Sequence, residues 1–211
     1  MPQWERPHIK THLLATLRKR QQLGERAYEQ VCRLFGLICV NRPEWLTIEE
    51  IQEALRSLDC KGRALVARIF WNRMQGAGDQ SETLWNDLIG PRLKCVWPKD
   101  RDMLDPESSL NLPIAATYAG ASFRDAVDVI LPLLVPTKHH ALLWKRVLEV
   151  GIAEREPEAT LKLAGAIVDT KAPLQDSNLR EVLKVIQAAD ASAANQPVFR
   201  KLDEHLRHHN R

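Results

Sequence analysis

At 211 residues, with 45% hydrophobic and 27% charged side chains, the chain has a globular composition and enough apolar sequence for a sizeable core. A formal charge of +3 is too mild by itself to mark a nucleic-acid-binding domain, and no apolar run approaches the eighteen or so residues of a membrane span. Nine glycines, two tyrosines and the absence of short alternating segments argue against a sheet protein.

The start MPQWERPHIK is not a charged segment followed by an apolar stretch, so no secretory signal is expected and the predicted location is cytoplasmic. The cysteines fit that compartment. Cys32, Cys39, Cys60 and Cys95 form no CxxC pair, and Cys32 and Cys39 sit seven residues apart on one predicted helix. A rise of about 1.5 Å per residue separates those two by roughly 10 Å, too far for a disulfide. They read as small buried thiols.

In chain order, a first helix is predicted over 8–20, with Ile9, Leu13 and Leu17 on one face. It ends on Arg18, Lys19 and Arg20, cations that suit the negative end of a helix dipole. The same triplet is the candidate contact for a nucleic acid or another partner. A second helix over 25–40 is expected to carry Ala27, Tyr28, Val31, Leu34, Phe35 and Ile38 on one wide apolar stripe, and Pro43 stops it. Thr47 and Glu50 then have the spacing of a capping box that opens the next helix. A helix over 62–75 carries apolar residues on several sides (Leu65, Val66, Ile69, Phe70, Trp71) and is expected to be well buried. The stretch Gly76, Ala77, Gly78, Asp79 is a candidate boundary between an N-terminal subdomain, 1–75, and a helical-hairpin region, 81–211, unless 1–211 forms one continuous domain.

Ser81 is the expected cap of the following helix, which Gly90 and Pro91 kink or break. Asp105, Pro106 and Glu107 make a helix start: cap, first-turn proline, first-turn acid. Ser122 is expected to cap an amphipathic helix whose stripe is Phe123, Ala126, Val127, Ile130, Leu131 and Leu134. Trp85 and Trp97 are the nearest bulky cover for that stripe, so Trp85, Trp97, Phe123 and Ile130 are the predicted core anchors. Thr137 is expected to start the next helix, and Pro157, Ser177 and Pro197 to open the last three. The predicted fold is all-α: about ten helices stacked as hairpins, in an irregular α-solenoid-like (HEAT-like) array or a compact bundle.

No chemistry-bearing motif emerges. Asp100, Asp102, Asp105 and Glu107 fall at positions 1, 3, 6 and 8, which is not the spacing of a calcium loop. His205 and His209 are one helical turn apart but lack the glutamate of a zinc-protease pair, and His139 and His140 are adjacent and diverge on a helix. Phosphate-binding glycine loops and nucleophile elbows are absent. The expectation is a protein that is not an enzyme, with no metal and no cofactor.

A set of spaced landmarks carries a resemblance. Trp85, Ile89, Pro91, Val96, Trp97, Pro98 and Asp100 are followed by Ser109, Ala115, Gly120, Phe123, Val127 and Leu134, then by Pro157, Leu161, Ile167, Asp169, Leu179, Leu183 and Ile186. Across about 64–208 this pattern resembles the C-terminal helical region of large bacterial anti-phage defence proteins. In those proteins the region follows an effector or sensor domain, such as a P-loop ATPase or a sirtuin-like NAD-degrading domain. The resemblance implies a scaffold or partner-sensing role for a subunit or a detached C-terminal region. The enzymatic part has no counterpart here, so no catalytic residue carries over. The expected partner is a protein, either an effector or ATPase subunit or a second copy. The alternative is a nucleic-acid-binding accessory protein using the basic first helix, and no membrane role is expected.

Overall fold

The computed structural model describes residues 6–19, 22–138, 140–171 and 177–208; Arg20, His139 and His209 lie outside them. The fold is all-α. Among the described residues the one extended pairing is an isolated parallel bridge between Thr137 and Val168.

Thirteen α-helices are described: α1 (Arg6–Arg18), α2 (Glu25–Asn41), α3 (Ile48–Ser57), α4 (Cys60–Gly76), α5 (Ser81–Leu84), α6 (Gly90–Val96), α7 (Pro106–Ala116), α8 (Phe123–Ile130), α9 (Ala141–Glu149), α10 (Ile152–Arg155), α11 (Pro157–Ile167), α12 (Ser177–Ala189) and α13 (Pro197–His208). Their contacts sort them into two rows. One row runs α1, α3, α6, α8, α11, α13, each packed on the next, and the other runs α2, α4, α7, α9, α12. Contacts such as α1 with α2, α7 with α8 and α11 with α12 join the rows as rungs, and α10 wedges between α9, α11 and α12. This is the two-layer stacking of an α-solenoid, with helices of unequal length. One apolar cluster extends from Leu13 to Leu206, and it crosses residues 76–80 through the packing of α3 on α6 and α4 on α7.

Local sequence explains most helix starts. Thr47 accepts from the Glu50 N–H at 3.2 Å while the Glu50 carboxylate accepts from the Thr47 N–H at 2.8 Å, closing the capping box of α3. Asp105 caps α7 by accepting from the Ser108 N–H at 2.7 Å, with Pro106 in the first turn. Asp59 caps α4, earlier than the periodicity of its apolar residues suggests.

Other starts depart from the local reading. Ser122 makes no cap contact, because its hydroxyl is drawn to Glu82 at 3.4 Å and accepts from Asn86 at 3.0 Å. Ser81 is already helical, at the first position of α5, and caps nothing. Thr137 starts no helix: its N–H donates to the Ile167 carbonyl at 2.8 Å, and α9 begins at Ala141. Gly90 and Pro91 do not break their helix. A π turn over Trp85–Ile89 joins α5 to α6, with the Gly90 N–H reaching back to the Trp85 carbonyl. Widening the turn accommodates a proline that lacks a donor and would clash in a regular helix.

Two glycines sit at close approaches between α2 and α4. A Cβ at Gly62 would collide with the Tyr28 hydroxyl and lie 3.2 Å from Cys32 Sγ, and one at Gly36 would lie 3.1 Å from Ile69. Glycine at these two positions lets the helices approach. Of the cysteines, Cys32 and Cys39 are buried and Cys60 and Cys95 exposed, which corrects the expectation of buried thiols for the latter two; all four are free. Burial pushes the Cys39 thiol up to about 12.

Candidate functional site

The predicted core anchors Trp85, Trp97, Phe123 and Ile130 are all buried. The ring of Trp97 lies 6.1 Å from that of Phe70, so it packs on α4 in the second row, and α6 also packs on α8. Trp144 is likewise buried; its indole N–H donates to His140 Nδ1 at 2.7 Å, which puts the proton of a neutral His140 ring on Nε2.

The basic triplet after α1 is partly engaged. Arg18 pairs with Glu53 of α3 at 2.9 Å, with both side chains exposed, while Lys19 is exposed in the turn that follows. Such a pair is worth about 1 kcal/mol or less, and a phosphate would have to compete with the carboxylate for Arg18. In the acidic loop, Asp105 turns inward. It faces Arg63 of α4 at 3.8 Å, and both side chains are almost wholly enclosed. Arg63 also donates to the Leu58 carbonyl. His205 is buried and His208 exposed. Among the described residues no three His, Cys, Asp or Glu side chains converge on a metal-sized site. No helix there is long and apolar enough to cross a membrane.

A groove of about 490 Å³ lies over the outer face of the second row. α4 supplies its centre. The inward face of this helix carries Val66, Ala67, Phe70 and Met74, so Lys61, Leu65, Arg68 and Asn72, spaced four, three and four residues apart, look outward. Leu110 and Glu107 of α7 extend the groove on one side, Glu29 of α2 closes the other, and Leu142 of α9 continues the apolar floor beyond α7. Leu142 is 50% exposed and Trp71 half-buried, its indole N–H enclosed with no acceptor among the described residues. A second hollow of about 290 Å³ adds Arg33, Ile69 and Asn72 and shares Leu65 and Arg68 with the first.

The electrostatics of this surface are uneven. The Lys61 ammonium is 2.6 Å from the Glu25 carboxylate; that hydrogen bond holds the Glu25 carboxyl below its usual range and raises Lys61. Arg33 and Arg68 have no carboxylate within ion-pair distance among the described residues, although Glu29 and Glu107 stand at the margins. An apolar floor edged by charges of both signs can bury apolar side chains of a partner. Sequence reasoning assigned the surplus apolar residues of α4 to burial. The overlooked signal was that Leu65, Ile69 and Trp71 exceed what one core-facing stripe requires.

No family model matches the chain, and no solved structure matches it. The chain is similar to the uncharacterized protein y4cA of Sinorhizobium fredii (strain NBRC 101917 / NGR234), with 29% identity over 158 residues. The match covers 73% of this chain but only 13% of that protein. The chain therefore corresponds to a small part of a much larger relative.

Proposed function

We propose that the chain is a helical interaction module without chemistry of its own, serving as a scaffold subunit or helical region in a bacterial anti-phage defence assembly. The observation that supports this reading is the open groove over α2, α4, α7 and α9 on a two-row helical stack, an architecture that offers extended surfaces for partners. Two features support it. The landmarks between Trp85 and Ile186 resemble the helical regions of large defence proteins, and the bacterial relative contains the matched stretch as a minor part of its length. Catalysis would then belong to the partner, an effector or ATPase subunit, and this chain would hold or sense it.

The test is genetic and biochemical together. A host strain carrying the gene with its chromosomal neighbours is compared with one lacking only this chain, and phage plating efficiency is scored. Loss of protection, with co-purification of a neighbouring gene product, is the expected result. Unchanged plating with a chain that purifies alone would overturn the reading. The alternative of nucleic-acid contact through Arg18, Lys19 and Arg20 predicts binding that falls steeply with salt and is lost in R18E/K19E.

A further inference from the structure

The two ends of the stack differ in chemistry, and the difference points to a partner for one of them. We infer that the free face of α1 and α2 pairs with the same face of a second copy, making a two-fold dimer at the start of the stack. This surface is separate from the groove, and a failed phage-plating test would leave it standing.

α2 opens the second row. Its Cys32 and Gly36 meet Gly62 and Ile69 of α4, and at about 100° per residue Leu34 points to the opposite side. That side carries Ala27, Gln30, Leu34, Leu37 and Asn41, spaced three, four, three and four residues apart, the spacing of a helix–helix seam. Leu34 is 45% and Leu37 44% exposed, so the seam lies in water. α1 widens it: Ile9, His12 and Thr16 line a hollow of about 390 Å³ together with Val31 and Leu34.

None of these side chains is Lys, Arg, Asp or Glu, in a chain where those four types make up 27%. The charges of the two helices are turned elsewhere. Lys10 and Arg18 reach Glu50 and Glu53 of α3, Glu25 reaches Lys61 of α4, and Arg33 lines the hollow over α4. Arg26 stands at the rim, about 80° around α2 from Leu34. Two-fold pairing sets a patch against itself, so a patch of one sign repels its copy and an uncharged one does not. A second copy supplies the same seam spacing and the same lack of charge.

The far end, α12 with α13, has the opposite character. Arg180, Lys184, Asp203 and Arg207 line its hollow. Head-to-tail stacking would press these charges against leucines at a desolvation cost, so association closes at two copies and does not grow into a filament. The α1 and α2 face measures roughly 25 by 20 Å, on the order of 500 Å² per copy and about 1,000 Å² in the pair. That is the lower limit for a specific interface, and the dimer is expected to be weak.

Sedimentation velocity over a concentration series is the test. A monomer–dimer equilibrium is expected, with a Kd on the order of 1–100 µM and no larger species. Leu37→Glu should weaken it about tenfold or more. Gln30→Glu with Asn41→Asp keeps side-chain size and adds only charge. That pair should also weaken the dimer, and salt of about 1 M, where the Debye length is about 3 Å, should restore part of the loss. Lys184→Glu at the far end should change nothing. Melting temperatures at the dilute end of the series should stay within about 3 °C of the parent, which separates lost pairing from lost fold. Three results would overturn the inference: a monomer at about 0.5 mM, which would leave the face to a different protein; assemblies that grow past the dimer; or unchanged affinity in either folded variant of the seam.

Discussion

The two halves of the stack hold their helices together by different means. In the first half, the row α2, α4, α7 is fastened by buried and partly buried polar groups. The Tyr28 hydroxyl donates to Asp59 Oδ1 at 2.8 Å, the same oxygen accepts from the Gly62 N–H at 2.8 Å, and Arg63 meets Asp105 in the interior. Burial raises the Tyr28 phenol well above its ordinary range, and hydrogen bonding with Asp59 accompanies it. In the second half, α8, α9, α11, α12 and α13 meet through side chains such as Trp144, Val147, Leu163, Val182 and Ile186. Ion pairs there, including Arg124 with Glu156 at 3.1 Å and Lys184 with Glu181 at 3.0 Å, lie near the surface. Apolar packing tolerates small changes in helix position, whereas a buried ion pair tolerates few, because each charge left unpaired in the interior is costly. The part of the groove built by α2, α4 and α7 thus lies in the half where polar contacts help to set the helix positions.

Breaking the buried pair should have the largest effect. Asp105→Ala removes the cap of α7 and leaves the Arg63 guanidinium enclosed without its carboxylate, which should cost about 3–5 kcal/mol in urea unfolding. Adding Arg63→Met to Asp105→Ala should recover part of that loss. A double variant no more stable than Asp105→Ala alone would show that the cap, not the charge, dominates.

In the second half the polar contribution should be smaller. Trp144→Phe keeps most of the apolar volume but withdraws the indole donor from His140, an expected cost of about 1–3 kcal/mol. A loss as large as that of Asp105→Ala would erase the distinction between the halves.

The smallest effect sharpens the comparison at the edge of the first half. Burial pushes the Glu50 carboxyl up, but the Lys10 ammonium at 2.8 Å and the Thr47 N–H outweigh it and hold the group below its usual range. A depressed carboxyl contributes stability that is present above its unfolded value of about 4.3 and lost as pH falls through the folded value. Glu50→Gln should therefore cost about 0.5–1 kcal/mol at neutral pH, and the difference from the parent should shrink as pH falls below the unfolded value and vanish once the folded carboxyl is protonated, as followed by thermal melts.

Residues three or four apart carry enough information to place a helix and its cap. The capping box of Thr47 and Glu50, the Asp105 and Pro106 start of α7, and the stripe from Phe123 to Ile130 are legible for that reason, and with them the all-α class. Which partner a side chain prefers was not legible where the competitor comes from elsewhere in the chain. Ser122 abandons its cap for Glu82, forty residues earlier, and Thr137 gives its N–H to Ile167. In both, packing brings a partner from elsewhere in the chain: Ser122 also accepts from Asn86, which occupies the oxygen a cap would use, and the Thr137 N–H is held by the Ile167 carbonyl. The groove was hidden for the same reason, since Leu65 and Trp71 look like core until α2, α7 and α9 are set around α4.

The sequence by itself determined the helices, their apolar faces and most of their ends, because these depend on periodicity and on hydrogen bonds within one turn. Tertiary structure alone decided that α4 lies between α2 and α7, that Arg63 meets Asp105 across forty-two residues, and that an apolar floor remains in water beside Arg33 and Arg68. Those outcomes depend on which helix surfaces close on one another. Amphipathic periodicity states that a face must be buried and leaves open what will cover it.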